Sequence, residues 1–503
     1  WASAAGWAAA VVYAGLAGFD VPALRSVLMI GVFALAWARH RQAGSWHTWW
    51  TAMAAVLLLQ PAAALSAGFW LSFGLVGALI WATAGRKSKR DVLVYVQHDD
   101  SDNEPFRLPE LTWQDKLRIA VSAQWAATLL GGVATIALFG LLPVFSPLAN
   151  ALAIPLFSWL LAPLALLASA LPFDAPKLAA AWLGENVVAA IQWAGARLPE
   201  MAFAHAPAPL LALAAASALV LLLPQGTHLK PLACCALAAF ALYRPPQSAA
   251  QGSLKITVWD VGQGLSVLLQ TQSHNILYDS GTAYAAEMAL LPNLRAAGIT
   301  RLDALIASHH DDDHDGGLPA VQQRYPAAAL WAGQPENYPR AQYCQSGKTW
   351  TADGVYFEWL TLPRTPSTPD NDASCVLRAI AGKHALLITG DLSARGEAQL
   401  LAQYGDALQS DVLILGHHGS RSSSSSAFIN RVAPRWAIAS SGFANAYHHP
   451  HPDVINRLAA HGVTLLRTDT QGAWVITLAG DEASVAQLAR GKYWWQKKPF
   501  DGA

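Results

Sequence analysis

The chain has 503 residues, of which 53% are hydrophobic and 13% charged, and its formal net charge is zero. About a quarter of an ordinary soluble domain is charged, which excludes a wholly soluble protein. A generally basic surface is excluded as well, so any path for a polyanion has to come from local patches. Neutrality hides a division. Between Ile119 and Tyr243 the only Asp, Glu, Lys or Arg residues are Asp174, Lys177, Glu185, Arg197, Glu200 and Lys230, whereas from Gln251 onward charged residues alternate with short apolar runs. Residues 1–246 read as a polytopic membrane domain and residues 252–503 as a soluble one.

Trp1 stands where a Met would begin a whole protein, which predicts a fragment or processed product. No basic, apolar, small-residue order of a signal peptide is present. A bilayer crossing takes about 20 apolar residues, and spans are expected near 22–38, 49–64, 67–84, 119–142, 146–171, 207–223 and 229–243, with 4–18 the remnant of another. Residues 178–198 carry Glu185 and Arg197 and fit a transmembrane, re-entrant or surface-lying helix. Pro22, Pro61, Pro147, Pro155 and Pro163 interrupt several spans, which favours a transport bundle over a simple anchor. The polar insert at 85–118 opens on Arg86-Lys87-Ser88-Lys89-Arg90, a cytoplasmic signal. Its acidic run Asp99-Asp100-Ser101-Asp102 reads as a solvated loop. Cys234 and Cys235 read as packing residues within a span. Cys344 and Cys375 form either a disulfide, if their domain faces an oxidising compartment, or two free thiols.

Strands are expected at 254–259, 266–270, 275–278, 304–307, 328–331, 355–360, 375–380, 385–388, 412–415, 436–440, 463–466 and 474–478. Helices fit 287–297, 317–324, 394–403, 425–431 and 452–460, giving a layered α/β domain. Polar residues gather where apolar strands close: Asp279, the hexamer His309-His310-Asp311-Asp312-Asp313-His314, Asp391, and the pair His417-His418. Alternation along a strand end would let His309, Asp311, Asp313 and His314 aim at two neighbouring divalent cations.

The order Asp, His-x-Asp-x-Asp-His, Asp, His resembles the metallo-β-lactamase superfamily. More specifically, Asp260-Val261-Gly262-Gln263-Gly264, Ser308 through His314 with Gly316-Gly317, His417-His418-Gly419-Ser420, the run from Asn445 to Pro452, and Thr468-Asp469 resemble the ComEC family of competence proteins. Arg25 before Met29, and Gly68-Phe69-Trp70-Leu71-Ser72-Phe73, agree with it in the membrane half. The resemblance implies an αββα sandwich with metals at one edge and an absent N-terminal part holding a small extracytoplasmic domain. It also implies a multi-pass inner-membrane channel for single-stranded DNA with the sandwich outside the cytoplasm. Implied partners are DNA, the lipid bilayer, a DNA receptor and a cytoplasmic motor protein.

By the same resemblance His309 and Asp311 hold a first metal, Asp313 and His314 a second, and Asp391 bridges them. His418 supplies the last ligand, with His417 as competitor, and Asp279 orients the loops. Where the superfamily places a further His, this chain has Asn371-Asp372-Ala373-Ser374; His384 reads as an exposed turn residue. The carboxylate-rich set favours Mn²⁺ or Mg²⁺ relative to Zn²⁺. Two such ions suit in-line displacement at phosphorus, with Asp313, His314, Asp391 and His451 in the catalytic group. His417, Ser420, Arg421 and His449 are the expected substrate contacts, and residues 422–426 a loop rim. The stretch 490–498, rich in Trp, Tyr and Lys, suits a membrane interface or stacked bases. The expected function is a DNA-uptake channel with a metal-dependent DNA nuclease domain. The alternatives are a non-catalytic DNA-guiding sandwich and a membrane-tethered hydrolase of a small ester or lactam.

Overall fold

A computed structural model of the chain describes residues 2–16, 18, 21–38, 45–83, 112–198, 200–223, 226–245, 249–327, 329–365 and 367–488. The charged runs of the polar insert, the Arg25 side chain and the stretch 490–498 lie outside the described residues. Contacts divide the chain into two units, Trp1–Tyr243 and Arg244–Ala503.

The first unit is built from helices Ala2–Leu16, Val21–Ala38, Ser45–Leu59, Ala67–Thr83, Trp113–Phe139, Asp174–Arg197, Ala208–Leu221 and Lys230–Leu242. Residues 178–198 thus belong to a continuous helix up to Arg197. Pro61 ends the preceding helix and opens a short 3₁₀ turn, Pro61–Leu65, because its missing N–H cannot continue the ladder. A further apolar rod runs through Ser146–Pro155, a π-helical stretch Leu156–Leu161, and Ala162–Ala170. In a regular α-turn the Pro163 ring would meet the Trp159 carbonyl; the wider π register, in which the Ala162 N–H bonds Phe157 O, relieves it. No residue of this rod is buried.

Among the described residues, Ala120–Phe139 and Ser146–Ala170 are the two helices long and apolar enough to cross a membrane; Ala4–Leu16, Ala67–Ala82, Ala208–Leu221 and Lys230–Leu242 are apolar but shorter. Two indoles tie helices together through backbone carbonyls: Trp49 Nε1–H donates to Phe73 O at 3.0 Å and Trp81 Nε1–H to Leu219 O at 3.2 Å. Strand β1 (Leu141–Pro143) pairs with β2 (Glu200–Ala202). Cys234 and Cys235 are exposed, not packed, because Ala233 and Phe240 supply the buried face of their helix.

The second unit is a sandwich of two sheets. The eight-stranded sheet runs in the order β17 (Glu482–Gln487), β16 (Trp474–Ala479), β3 (Ser253–Val258), β4 (Val267–Gln270), β5 (Asn275–Tyr278), β6 (Ala304–Ala307), β7 (Ala329–Ala332), β8 (Gln342–Tyr343). The seven-stranded sheet runs β15 (Thr464–Arg467), β14 (Trp436–Ala439), β13 (Val412–Ile414), β12 (His384–Ile388), β11 (Leu377–Ala381), β10 (Val355–Trp359), β9 (Thr349–Ala352). Alternation sorts the faces. Ile256, Leu269, Ile276 and Ile306 meet Phe357, Trp359, Ile388 and Ile414 between the sheets. Leu268, Leu277 and Leu305 face outward onto helices Leu291–Ala296 and Leu318–Arg324. Leu387, Leu413 and Ala437 face helices Ala394–Tyr404, Ser426–Val432 and Pro452–Ala460. The result is αββα. Cys344, just after β8, and Cys375, just before β11, are joined as a disulfide with Cα atoms 5.6 Å apart, which links one sheet to the other.

Candidate metal centre

Five strands carry the site. Strands β5 and β6 run parallel, as do β12, β13 and β14, so the residues just past their carboxyl ends collect at one edge, where open sheets bind ligands. Asp279 follows β5, the hexamer follows β6, Asp391 follows β12, His417 and His418 follow β13, and Ser440 follows β14. Two close approaches hold the loops. Gly264 has φ +134° and a Cβ there would stand 2.4 Å from Asp313 O; at Gly419, with φ +82°, a Cβ would stand 2.8 Å from Pro450 Cβ. His417 and His418 are both left-handed, with φ of 49° and 57°. Such backbone costs about 1–3 kcal/mol per residue and persists only where surroundings impose it.

Three imidazoles are oriented alike. His314 Nδ1–H donates to Asp279 Oδ2 at 2.7 Å, and His418 Nδ1–H donates to Ser440 O at 2.8 Å. His309 Nδ1–H meets Ser308 Oγ at 3.0 Å, while the Ser308 hydroxyl donates to Asp279 Oδ2 at 2.8 Å. With each Nδ1 committed outward, each Nε2 is left to point inward. His314 Nε2 lies 3.2 Å from His418 Nε2 and 3.0 Å from Asp391 Oδ1; His418 Nε2 lies 3.1 Å from Asp313 Oδ2 and 3.6 Å from Asp391 Oδ2. His309 Nε2 is buried without a hydrogen-bond partner. Two groups result, His309/His314/Asp391 and Asp313/His314/His418, each with ligand atoms within 4.8 Å of one another. Facing lone pairs at these distances repel unless a proton or a cation sits among them, and borderline imidazoles with carboxylates are the donors divalent metals take. The residues fit such ions.

Electrostatics agree. Burial opposes charge on His314, but Asp391 and Asp279 outweigh it and hold its pKa well above the ordinary value. His418 is likewise raised, burial being overcome by Asp391 and Asp313. Asp391 lies well below the carboxylate range despite burial, because His314 and His418 face it, and Asp313 is lowered by the same pair. Burial and the charge of His314 push His309 down to about 3. Burial, then His418 and His417, lower His449 to about 4.

Several expected residues stand elsewhere. Asp311 is exposed and accepts the Asp312 N–H at 2.9 Å as the N-cap of helix Asp312–Asp315. The alternation argument fails there because the chain turns helical at Asp312, and a helix start takes Asp as its cap. His451 caps helix Pro452–Ala460, accepting the Asp453 N–H at 3.1 Å. Ser420 Oγ is spent within its loop on Ser422. His417 Nε2 is 3.8 Å from Asp391 Oδ2, at the rim, and Arg421 is exposed. His449 does reach the site, its ring 5.8 Å from that of His417 and its Nδ1 buried without a partner. His384 is half-buried, not exposed, paired with Asp411 at 3.0 Å and away from the cluster. The supporting hydroxyls were not expected: Ser308, and Ser374, whose Oγ accepts the Asp391 N–H at 3.1 Å. Their signal is adjacency to a ligand or ligand position, Ser308 preceding His309.

Residues 1–229 match the Competence protein family and residues 259–442 the Metallo-beta-lactamase superfamily. Competence protein ComA of Neisseria gonorrhoeae is 48% identical over 501 residues, 100% of this chain and 68% of that protein. The chain belongs to the ComEC family of competence proteins. Recombination protein 2 of Haemophilus influenzae is 30% identical over 96% of this ComEC-family chain and 64% of its own length; Uncharacterized protein YcaI of Escherichia coli is 29% identical over 95% and 62%. The chain thus spans about two thirds of the length of these relatives. Its second unit has the fold of metal-dependent hydrolases of the superfamily, which implies divalent metal ions.

Proposed function

We propose that this chain belongs to an inner-membrane DNA-uptake protein whose sandwich unit hydrolyses DNA phosphodiester bonds with two divalent metals. The observation that carries the reading is the inward convergence of three histidine Nε2 atoms with the Asp313 and Asp391 carboxylates. Divalent cations held there supply the Lewis-acid charge that in-line displacement at phosphorus requires. His309 and Asp391 would hold one, and Asp313, His314 and His418 the other, since the single Nε2 lone pair of His314 can serve one ion only. With Asp311 turned away the set is less carboxylate-rich than expected, which suits Zn²⁺ or Mn²⁺ better than Mg²⁺. His449, held neutral, is positioned to give a ring N–H to a phosphate oxygen, and Arg421, exposed four residues beyond His417, supplies a guanidinium for the same kind of contact.

Membership in the competence family, together with unburied apolar helices such as Ser146–Ala170, supports a multi-pass channel for single-stranded DNA. The Cys344–Cys375 disulfide supports an extracytoplasmic sandwich, since such bonds persist in oxidising compartments. A DNA receptor and a cytoplasmic motor are partners by family alone.

A second reading, a DNA guide that does not cut, is favoured by one observation: Asp311 leaves the first metal group. The test is the full chain in detergent with single- and double-stranded DNA and Mn²⁺, Zn²⁺ or chelator. Cleavage abolished by Asp313→Ala and His418→Ala is the expected outcome. Binding without cleavage by the wild-type chain under every metal sinks the nuclease reading in favour of the guide. Hydrolysis of a chromogenic lactam alone would sink both.

A further inference from the structure

We infer that the loop at residues 442–451 is a nucleobase-stacking platform that presents single-stranded DNA to the metal centre. Phe443 and Tyr447 are 80% and 68% exposed, although the unit buries most of its large apolar side chains. These rings do not hang on a loose segment. Asn445 Nδ2 donates to Gly442 O at 2.9 Å and to His449 O at 2.7 Å, and its Oδ1 accepts the His449 N–H at 2.9 Å. Gly442 N–H reaches Gln263 Oε1 at 3.3 Å, and a Cβ on Gly442 would stand 2.8 Å from Gln263 N. The loop is pinned with its aromatic rings turned to water.

The rings also line up. Tyr447 stacks with His449 at 5.7 Å and 25°, and His449 with His418 at 6.3 Å and 25°. A ladder of near-parallel faces therefore runs from solvent to a buried metal-ligand candidate, with spacings typical of aromatic pairs. A base laid on Tyr447 continues this ladder and brings its phosphate toward His449, and Phe443 offers a second exposed ring on the same loop. Bases in a duplex have both faces covered, so the platform selects unpaired strands, and it does so without regard to sequence because every base has a π-face. The inference rests on DNA being the ligand of this site, but not on its being cut.

The test measures fluorescence anisotropy of the full chain in detergent and chelator. The probes are a labelled oligothymidylate of about 15 nucleotides, an abasic strand with the same phosphates, and a duplex. The wild-type chain is expected to hold the oligothymidylate about tenfold or more tighter than the abasic strand. Tyr447→Ala with Phe443→Ala should erase that ratio, and Tyr447→Phe should retain it. The ratio is taken within one protein, so partial unfolding of a variant cancels. Equal binding of both strands by the wild-type chain overturns the platform, as does a double variant that keeps the ratio. Adding Mn²⁺ scores cleavage separately: oligothymidylate preferred but uncut overturns the nuclease reading and leaves the platform standing.

Discussion

Asp279 stands one hydrogen bond behind the candidate ligand His314. Its carboxylate takes the His314 Nδ1–H and both the N–H and the hydroxyl of Ser308, which in turn steadies His309. Asp279→Asn replaces one acceptor oxygen with a donor, so His314 loses its fixed tautomer. Metal affinity should fall about 10- to 100-fold, read by competition with a chromophoric chelator; unchanged affinity would show that His314 needs no anchor. Proton competition follows from the raised pKa values of His314 and His418. Each must release its Nε2 proton to bind a cation, so metal uptake weakens as pH falls through those raised values and liberates protons. Calorimetry in two buffers of different ionisation enthalpy counts them, and no release would contradict the assignment.

Glu397 is buried and accepts the N–H groups of Ser424 and, at 2.8 Å, Ser425, tying down the loop beyond His418. Burial raises its pKa from 4.5 to about 7. Between those values the folded state holds a proton that the unfolded state lacks. Glu397 therefore favours folding most at low pH, and that share is lost as pH rises through about 7, up to about 3 kcal/mol. Denaturant titrations from acid to mildly basic pH should show a slope that Glu397→Gln removes.

At the scale of elements, the sandwich was legible because its strands are short apolar runs with opposed faces. Leu277 between Ile276 and Tyr278 shows it: the neighbours pack between the sheets and Leu277 packs under helices. What escaped lacked such a run. Strand β8 has two residues, and β9 and β17 are edge strands with exposed polar positions, so only pairing with a neighbour defines them. The candidate ligands that converge were legible as polar residues at strand ends. The N-cap roles of Asp311 and His451 were not legible, because helix caps, metal ligands and proton-transfer groups draw on the same residue types and only the turn of the backbone distinguishes them. The glycines are a further element-level demand. Gly264→Ala would force a Cβ toward the Asp313 carbonyl at a φ of +134°, at a cost of roughly 2–4 kcal/mol. A lower unfolding midpoint together with weaker metal binding is expected; a stable variant with intact metal binding would show that the two loops can part.

On the scale of the whole chain, composition alone separated an apolar half from a polar one, since charge nearly vanishes between residues 119 and 243. The number of membrane crossings was not legible, because prolines break helices into pieces shorter than a bilayer and hydropathy does not say which pieces continue one another. An extracytoplasmic second unit makes its own prediction. Ser367→Cys, on an exposed loop, should react with a membrane-impermeant maleimide in spheroplasts with an intact inner membrane; labelling only after lysis would reverse the orientation.

Reduction of the bond between Cys344 and Cys375, which closes a 31-residue separation, should cost about 3–4 kcal/mol by loop entropy and lower the unit's melting temperature. That bond joins the two layers, and Cys375 follows directly on Ser374, which receives the Asp391 N–H. If the second unit is extracytoplasmic, as proposed, a copy threaded into the bilayer the other way round would keep both thiols among cytoplasmic reductants. On that proposed orientation such a copy would be left unstitched one residue from Ser374 and the candidate cluster it supports, so a single covalent clasp would couple topology to the order of the site.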